Sequence, residues 1–138
     1  MTVPSFESLQ VGDEIPALKI PLISRHTLAL YCGASGDHNP IHVDLDYAKS
    51  AGLDDVIAHG MLSAGYLARM LIEWVPQSAI RSINNRFTAM THIGESVTCT
   101  GKVVEKFKKD NEKFVRLEMQ THTPESQTII AEAVIALE

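Results

Sequence analysis

Hydrophobic and polar residues alternate along three segments in the C-terminal half of the chain. These segments are residues 96–108, 115–119 and 129–137. A period of two is typical of a strand that buries one face. The residues between the segments, Lys109-Asp110-Asn111 and Pro124-Glu125-Ser126, have the composition of turns. The pattern therefore predicts antiparallel strands joined by short turns.

A different pattern occupies residues 60–75, GMLSAGYLARMLIEWV, where hydrophobic side chains cover most of a helical circumference. Such a helix is buried. At roughly 1.5 Å per residue it would be about 24 Å long, which is too short to cross a bilayer. Only the predicted strands, with a further extended run at residues 80–90, can enclose it. We therefore expect an α+β fold in which a curved antiparallel sheet wraps around a long buried helix.

The residue pattern in the N-terminal third of the chain predicts shorter helices and strands. Pro16 and Pro21 interrupt the apolar residues of segment 13–22, which favours a short edge strand. Ser24 and Asp44 each stand where they can cap a short helix. Two short helices should therefore precede the long one.

Between these two helices lies the stretch D-H-N-P-I-H, residues 37–42. Pro40 lacks an N–H and pushes Asn39 out of the helical region, so the first helix should end just before the stretch. Asp37 and His42 are then expected on a turn. There a carboxylate and an imidazole can face one small molecule, which a regular helix allows only at separations of three or four residues.

Length and composition indicate one domain, residues 1–138, with a single core. A net charge of −5 disfavours nucleic-acid binding. No apolar run reaches spanning length, so no membrane association is expected. The N-terminal segment MTVPSFESLQVGDE lacks the features of a secretory signal, and a cytoplasmic location is expected. Cys32 and Cys99 are predicted to be buried free thiols.

The only basic cluster is Lys106, Lys108 and Lys109, which stands next to acidic residues. A solvated hairpin tip is the preferred interpretation. The alternative is that these lysines attract a phosphate-bearing carrier, which would make substrate affinity depend on salt.

Residues 31–42, with Asp44 and residues 58–62, resemble the MaoC-like family of (R)-specific enoyl-thioester hydratases. The shared pattern is G-D-x-N-P-I-H, then x-D-x-x-x-A, then a distant H-G-M, and the nearest resemblance is to bacterial (3R)-hydroxyacyl-carrier-protein dehydratases. The resemblance also covers residues 86–88 and 94–97. It implies a hot-dog fold and the reversible syn hydration of a trans-2-enoyl thioester to the (3R)-3-hydroxyacyl thioester, on coenzyme A or acyl carrier protein. It implies no cofactor and no metal.

The resemblance also implies roles for four residues. Asp37 and His42 would bind and activate a water, and Asn39 would orient the dyad or the water through its amide. The backbone N–H of Gly60 would bind the thioester oxygen, because a helix N-terminus favours developing negative charge and glycine allows close approach. Which of Asp37 and His42 handles the α-proton stays open.

Each assignment has a simpler alternative. Asn39 could serve the turn alone, Gly60 could simply begin a crowded helix, and His59 is expected to cap or pack rather than to catalyse. His38 and His42 are four residues apart, but Pro40 breaks the helix that would align them, so no metal site is expected.

Two other functions remain open at this point. One is a hot-dog acyl thioesterase, and the other is a non-catalytic acyl-binding subunit of a heteromeric dehydratase. We expect a homodimer, with a heterodimer as the alternative, because a small curved sheet leaves edges and an outer face to cover. Candidate contact residues on that face are Val104, Ile130 and Val134.

Overall fold

A computed structural model describes residues 2–138 of the chain. The helices are α1 (Arg25–Ser35), α2 (Leu45–Ser50) and α3 (Gly60–Trp74), and the strands are β1 (Leu18–Ile20), β2 (Ile80–Phe87), β3 (Val97–Lys109), β4 (Glu112–His122) and β5 (Gln127–Leu137). Two short 3₁₀ turns lie at Pro40–His42 and Gln77–Ala79. The strands form one antiparallel sheet in the order β1-β3-β4-β5-β2.

The two short helices begin where the sequence predicted, and the first also ends there. The Ser24 side chain accepts a hydrogen bond from the Thr27 N–H at the start of α1, and the Asp44 side chain accepts one from the Tyr47 N–H at the start of α2. Helix α1 ends at Gly36, whose φ of 75° lies in the left-handed region that glycine adopts without strain. The chain therefore leaves α1 directly into the stretch at residues 37–42.

Helix α3 packs against the concave face of the sheet, and this confirms the predicted assembly. Its side of the core includes Leu67, Met70 and Leu71, each at most 1% exposed. The sheet contributes its alternate, inward-facing residues to the same cluster, among them Val103, Val115, Leu117, Ala133 and Ile135. Because each strand buries every second side chain, the period of two in the sequence corresponds to a continuous apolar surface.

The sheet does not enclose α3 completely. Met61 and Ile72 are 58% and 52% exposed, so the prediction of a helix buried on all sides is wrong for one flank. A single five-stranded sheet curves around one side of a helix only, and the apolar residues on the opposite flank stay open. Within residues 2–138, no helix is long and apolar enough to cross a membrane.

The β3–β4 hairpin carries the basic cluster. Asp110 and Asn111 both have positive φ, as a two-residue hairpin turn requires. The Lys106 ammonium donates to the Leu9 carbonyl at 2.6 Å and lies over the Phe6 ring. The prediction of a solvated hairpin tip agrees with exposed Lys108 and Lys109 but not with half-buried Lys106, which contacts the N-terminal segment.

The cysteines follow the prediction, since Cys32 and Cys99 are both free and buried. Burial raises the pKa of Cys99 to about 12, so this thiol stays protonated at neutral pH. Cys32 lies on the last turn of α1, next to the stretch at residues 37–42.

Candidate active site

The stretch at residues 37–42 is shaped by its own side chains. The Asp37 carboxylate accepts a hydrogen bond from the Asn39 N–H at 3.2 Å, and the Asn39 side-chain oxygen accepts one from the Ile41 N–H at 3.1 Å. Asn39 thereby caps the 3₁₀ turn that begins at Pro40. These local bonds replace the helix that proline forbids, and they turn Asp37 and His42 toward each other.

Asp37 and His42 form a loosely spaced pair. The nearest carboxylate oxygen of Asp37 lies 4.0 Å from His42 Nε2, and the two side chains are 51% and 11% exposed. This distance exceeds a direct hydrogen bond but matches a gap that one water can bridge. The structure therefore brings the two predicted residues to a separation that a single water, hydrogen-bonded to both, can bridge.

The protonation of His42 follows from its second contact. His42 Nδ1 lies 2.7 Å from the carbonyl oxygen of Ile57. Since a carbonyl oxygen only accepts, Nδ1 carries the hydrogen and donates it. In the neutral ring, Nε2 then has a free lone pair on the side of Asp37. His42 is thus held in the tautomer that can take a proton from a water in the gap.

Gly60 is the first residue of α3, and its N–H has no acceptor within the helix. The residue is exposed, while the ring of Phe87 stands against its Cα. A Cβ at this position would lie 2.9 Å from Phe87 Cε1, so only glycine fits without displacing the ring. The site thus has an accessible N–H at the positive end of a helix, next to an aromatic side chain.

His59 links Gly60 to the dyad, and here the structure sharpens the expectation from the sequence. Its side chain does not cap α3, which rules out one of the two expected roles. Instead the ring is buried and stacks on the ring of His42, with centroids 3.8 Å apart and an interplanar angle of 24°. Because Gly60 directly follows His59, the start of α3 lies beside the dyad.

Asn39 is observed only in its turn-forming role. Its side-chain oxygen is occupied by the Ile41 N–H, and a contact between its amide nitrogen and a bound water stays a prediction. His38 is exposed and does not belong to the group of close ligand atoms formed by Asp37, His42 and His59.

That group has the residue types of a metal site, and its ligand atoms lie within 4.8 Å of one another, but the ring orientations do not suit one. A ligating imidazole directs its lone pair along the ring plane toward the metal. The stacked rings of His42 and His59 lie face to face, so their nitrogens do not point at a common centre. His59 Nε2 also lies 3.3 Å from the Asp37 carbonyl oxygen, to which it donates its hydrogen. The stacking and the bond to the Asp37 carbonyl therefore disfavour an ion shared by these three residues.

Comparisons with known proteins show which family the chain belongs to. The chain is 37% identical over 97 residues to the (R)-specific enoyl-CoA hydratase of Rhodospirillum rubrum, an alignment that covers 69% of this chain and 66% of that protein. It is 35% identical over 72 residues to the peroxisomal enoyl-CoA hydratase 2 of Arabidopsis thaliana, covering 50% of this chain and 23% of that protein. The matched region thus spans less than two thirds of these relatives.

Solved structures of similar proteins have the same fold. The unliganded R-hydratase PhaJ1 from Pseudomonas aeruginosa superposes with a TM-score of 0.83 at 28% identity, covering 97% of this chain and 86% of that chain. A MaoC-like dehydratase superposes with a TM-score of 0.88 at 30% identity, covering 99% of this chain and 43% of that chain. These likenesses confirm the hot-dog fold. The family model described as "MaoC like domain" matches residues 9–124, and the chain belongs to this family.

Proposed function

We propose that this protein is a hydro-lyase that interconverts trans-2-enoyl thioesters and (3R)-3-hydroxyacyl thioesters. The observation that carries the proposal is the gap between Asp37 and His42, which has a free imidazole lone pair on one side and a carboxylate on the other. The R. rubrum relative is named an (R)-specific enoyl-CoA hydratase, and this supports the same reaction class here.

The chemistry needs four functions, and the site has a candidate for each. In the hydration direction, a water in the gap loses a proton to the dyad, and its oxygen bonds to C3 of the enoyl group. The C2–C3 π electrons move toward the thioester carbonyl, whose oxygen gains negative charge. The Gly60 N–H and the positive end of α3 stabilise that charge. The dyad then delivers a proton to C2, and the carbonyl re-forms.

The position of the dyad explains the expected stereochemistry. Asp37 and His42 flank one short 3₁₀ turn and face each other at 4.0 Å, so in this proposal both act on the substrate from one side. Hydroxyl and hydrogen would both be delivered from that side, which gives syn addition. Dehydration follows the same steps in reverse. Each of these steps uses only groups of the chain and the substrate, and we propose that no cofactor or metal takes part.

The carrier of the acyl group is either coenzyme A or acyl carrier protein. One relative is named a mitochondrial 3-hydroxyacyl-[acyl-carrier-protein] dehydratase, at 28% identity over 96 residues, so both carriers are represented among similar proteins. Lys113 pairs with Glu7 at 3.0 Å, and Lys106 is held by Leu9. These two ammonium groups are already engaged within the chain, and Lys108 lies over the Phe6 ring at 5.9 Å, so Lys109 is the better candidate in the cluster to attract a phosphate-bearing carrier.

The decisive assay follows the absorbance of the conjugated enoyl thioester with purified protein. Trans-2-enoyl-CoA substrates of graded chain length are compared with the same acyl groups on acyl carrier protein, and the product is analysed for its configuration. We expect loss of the conjugated absorbance and formation of the (3R)-hydroxy product. Release of free thiol without hydration would identify a thioesterase. Inactivity that a second protein rescues would identify a non-catalytic partner subunit.

We further propose that the protein acts as a dimer in the cytoplasm. Strand β2 is an edge strand with mostly exposed residues, and Ile130 on the outer face is 37% exposed. Pairing of two edges, or contact through the outer face around Val104 and Val134, would cover these surfaces. A homodimer is the simplest assembly. A sedimentation mass equal to one chain would contradict it, and a stable complex only with a second protein would indicate a heterodimer.

A further inference from the structure

We propose that His59 is a positioning residue that holds both members of the Asp37–His42 pair in the geometry needed to bind water. The inference rests on the proposed function of that pair. The His59 side chain contacts both, since it stacks on the His42 ring and donates a hydrogen bond to the Asp37 carbonyl oxygen. We do not assign it a catalytic role, because it is only 1% exposed and offers no surface to a substrate.

The first contact fixes the plane of His42. The hydrogen bond from His42 Nδ1 to the Ile57 carbonyl anchors one nitrogen, but a single bond leaves the ring able to turn about that axis. The parallel face of His59, 3.8 Å away, restricts this rotation. Nε2 is then directed at the gap beside Asp37.

The second contact fixes the backbone of Asp37. His59 Nε2 lies 3.3 Å from the Asp37 carbonyl oxygen, immediately after the left-handed Gly36 that ends α1. Without this bond, only the turn's own contacts would hold an exposed residue. The buried imidazole of His59 therefore contacts both Asp37 and His42. Its position fixes the distance between these two residues.

The environment of Nδ1, the other ring nitrogen, indicates that His59 is not present for stability alone. His59 Nδ1 is buried and has no hydrogen-bond partner among residues 2–138. A buried polar atom without a partner is unfavourable, and an apolar ring of similar size would avoid the cost. A polar ring at this position is explained if the donor at Nε2 and the flat face are both required.

The surroundings of His59 keep it uncharged. Tyr31 and Cys32 face it from α1, with the Tyr31 ring edge-on at 4.7 Å and the Cys32 sulfur 3.4 Å from Nε2, while Asp37 and His42 face it from the turn. Burial, and then the neighbouring His42, lower the pKa of His59 below its ordinary value near 6.5. A neutral ring permits His42 to accept a proton without repulsion from a second charge.

Two variants separate the two contacts. His59→Phe keeps a flat ring against His42 and loses the donor, whereas His59→Gln keeps an amide donor near the position of Nε2 and loses the ring. The matched control is His122→Phe, because His122 Nδ1 also lacks a partner but lies on β4, away from the dyad. Circular dichroism and thermal unfolding identify the folded variants.

The main readout is nitrogen NMR of the His42 ring, which reports its tautomer and its pKa without any turnover. In the unchanged protein and in His122→Phe, we expect His42 to be protonated at Nδ1. In His59→Gln we expect a mixture of tautomers and a shifted titration midpoint. Steady-state kinetics with an enoyl-CoA should show kcat lowered by about 10²-fold in both His59 variants, with KM changed by less than about threefold.

The outcomes distinguish this inference from the proposed function. An unaltered His42 tautomer and midpoint in both His59 variants would overturn the positioning role, and so would a fall in kcat no larger than that of His122→Phe. If the unchanged protein hydrates no enoyl thioester, the proposed function fails, and the NMR comparison still decides whether His59 positions His42. If one His59 variant does not fold, the other carries the test.

Discussion

The sheet and the turn at residues 37–42 are built on opposite principles. Strands β3, β4 and β5 bury alternate side chains, and Leu117, Val115 and Ile135 are each 0% exposed. The turn has no buried residue of its own in the stretch Pro40–His42 and is held by a few hydrogen bonds. The comparison indicates that the sheet stabilises the fold through burial, while the turn is held by local bonds and leaves the Asp37 carboxylate half-exposed.

This contrast predicts that activity and stability can be changed independently by substitutions in the two regions. Substitutions in the turn should remove activity and leave the free energy of unfolding nearly unchanged. Substitutions in the sheet should lower the free energy of unfolding and leave the activity of the folded fraction nearly unchanged. The start of α3 lies beside the turn and contacts the sheet through Phe87. Changes there should therefore affect both the activity and the free energy of unfolding moderately.

The largest effect is expected in the turn. His42→Ala and Asp37→Asn should each lower kcat by about 10²- to 10⁴-fold, because each removes a group that exchanges a proton with the water. Hydration assays on purified variants measure the loss, and denaturant unfolding should show little change. His38→Ala is the matched control, since His38 is exposed on the same turn. Near-normal turnover by either dyad variant would contradict the mechanism.

In the sheet, Leu117→Ala should lower the free energy of unfolding by about 2–5 kcal/mol, because it leaves a cavity at a fully buried position between β3 and β5. Urea unfolding followed by circular dichroism gives the value. Glu118→Ala, at the exposed next position, should have little effect. A loss of kcat in folded Leu117→Ala protein comparable to that of His42→Ala would contradict the expected independence of activity from substitutions in the sheet.

At the start of α3, Gly60→Ala should lower kcat/KM by about tenfold. The added methyl group would lie 2.9 Å from Phe87 Cε1 and must displace the half-exposed ring or the backbone. Adding Phe87→Leu should restore part of the activity. Gly65→Ala is the control on the same helix, because a Cβ there meets nothing within 4 Å. Equal activities of Gly60→Ala and Gly65→Ala would show that the close approach at Gly60 is not needed.

The smallest effect concerns pH. The lowered pKa of buried His59 means that the unfolded chain takes up a proton at a higher pH than the folded chain. Stability should therefore fall as pH drops below about 6.5 and level off once pH is below the pKa of the folded state. Urea unfolding at a series of pH values should show a weaker fall for His59→Phe. His26→Ala, at an exposed position of α1, should retain the full dependence.

The elements of the fold were predictable because they depend on local rules. Ser24 and Asp44 mark helix starts, Gly36 marks a helix end, and the alternating segments mark strands. The pairing of Asp37 and His42 was predictable from the motif, because Pro40 forces a turn between them.

Contacts between residues far apart in the chain could not be predicted from the sequence. Lys106 is 97 residues from Leu9, and only the folded sheet brings its ammonium to that carbonyl. The open flank of α3 likewise depends on how far the sheet curves. The hydrophobic pattern shows which residues avoid water in principle, but not whether one sheet is large enough to cover them.

The sequence by itself therefore determined the strands, the helices, the proline-bounded turn and the residue types that meet there, since each follows from propensity and spacing along the chain. Only the tertiary structure decided the contacts of His59. Its ring is 17 residues from His42 in the chain, and it reaches His42 and Asp37 because α3 is held against the sheet with its first residue beside the turn. Stacking and hydrogen bonding of that kind depend on positions in space, which residue spacing does not specify.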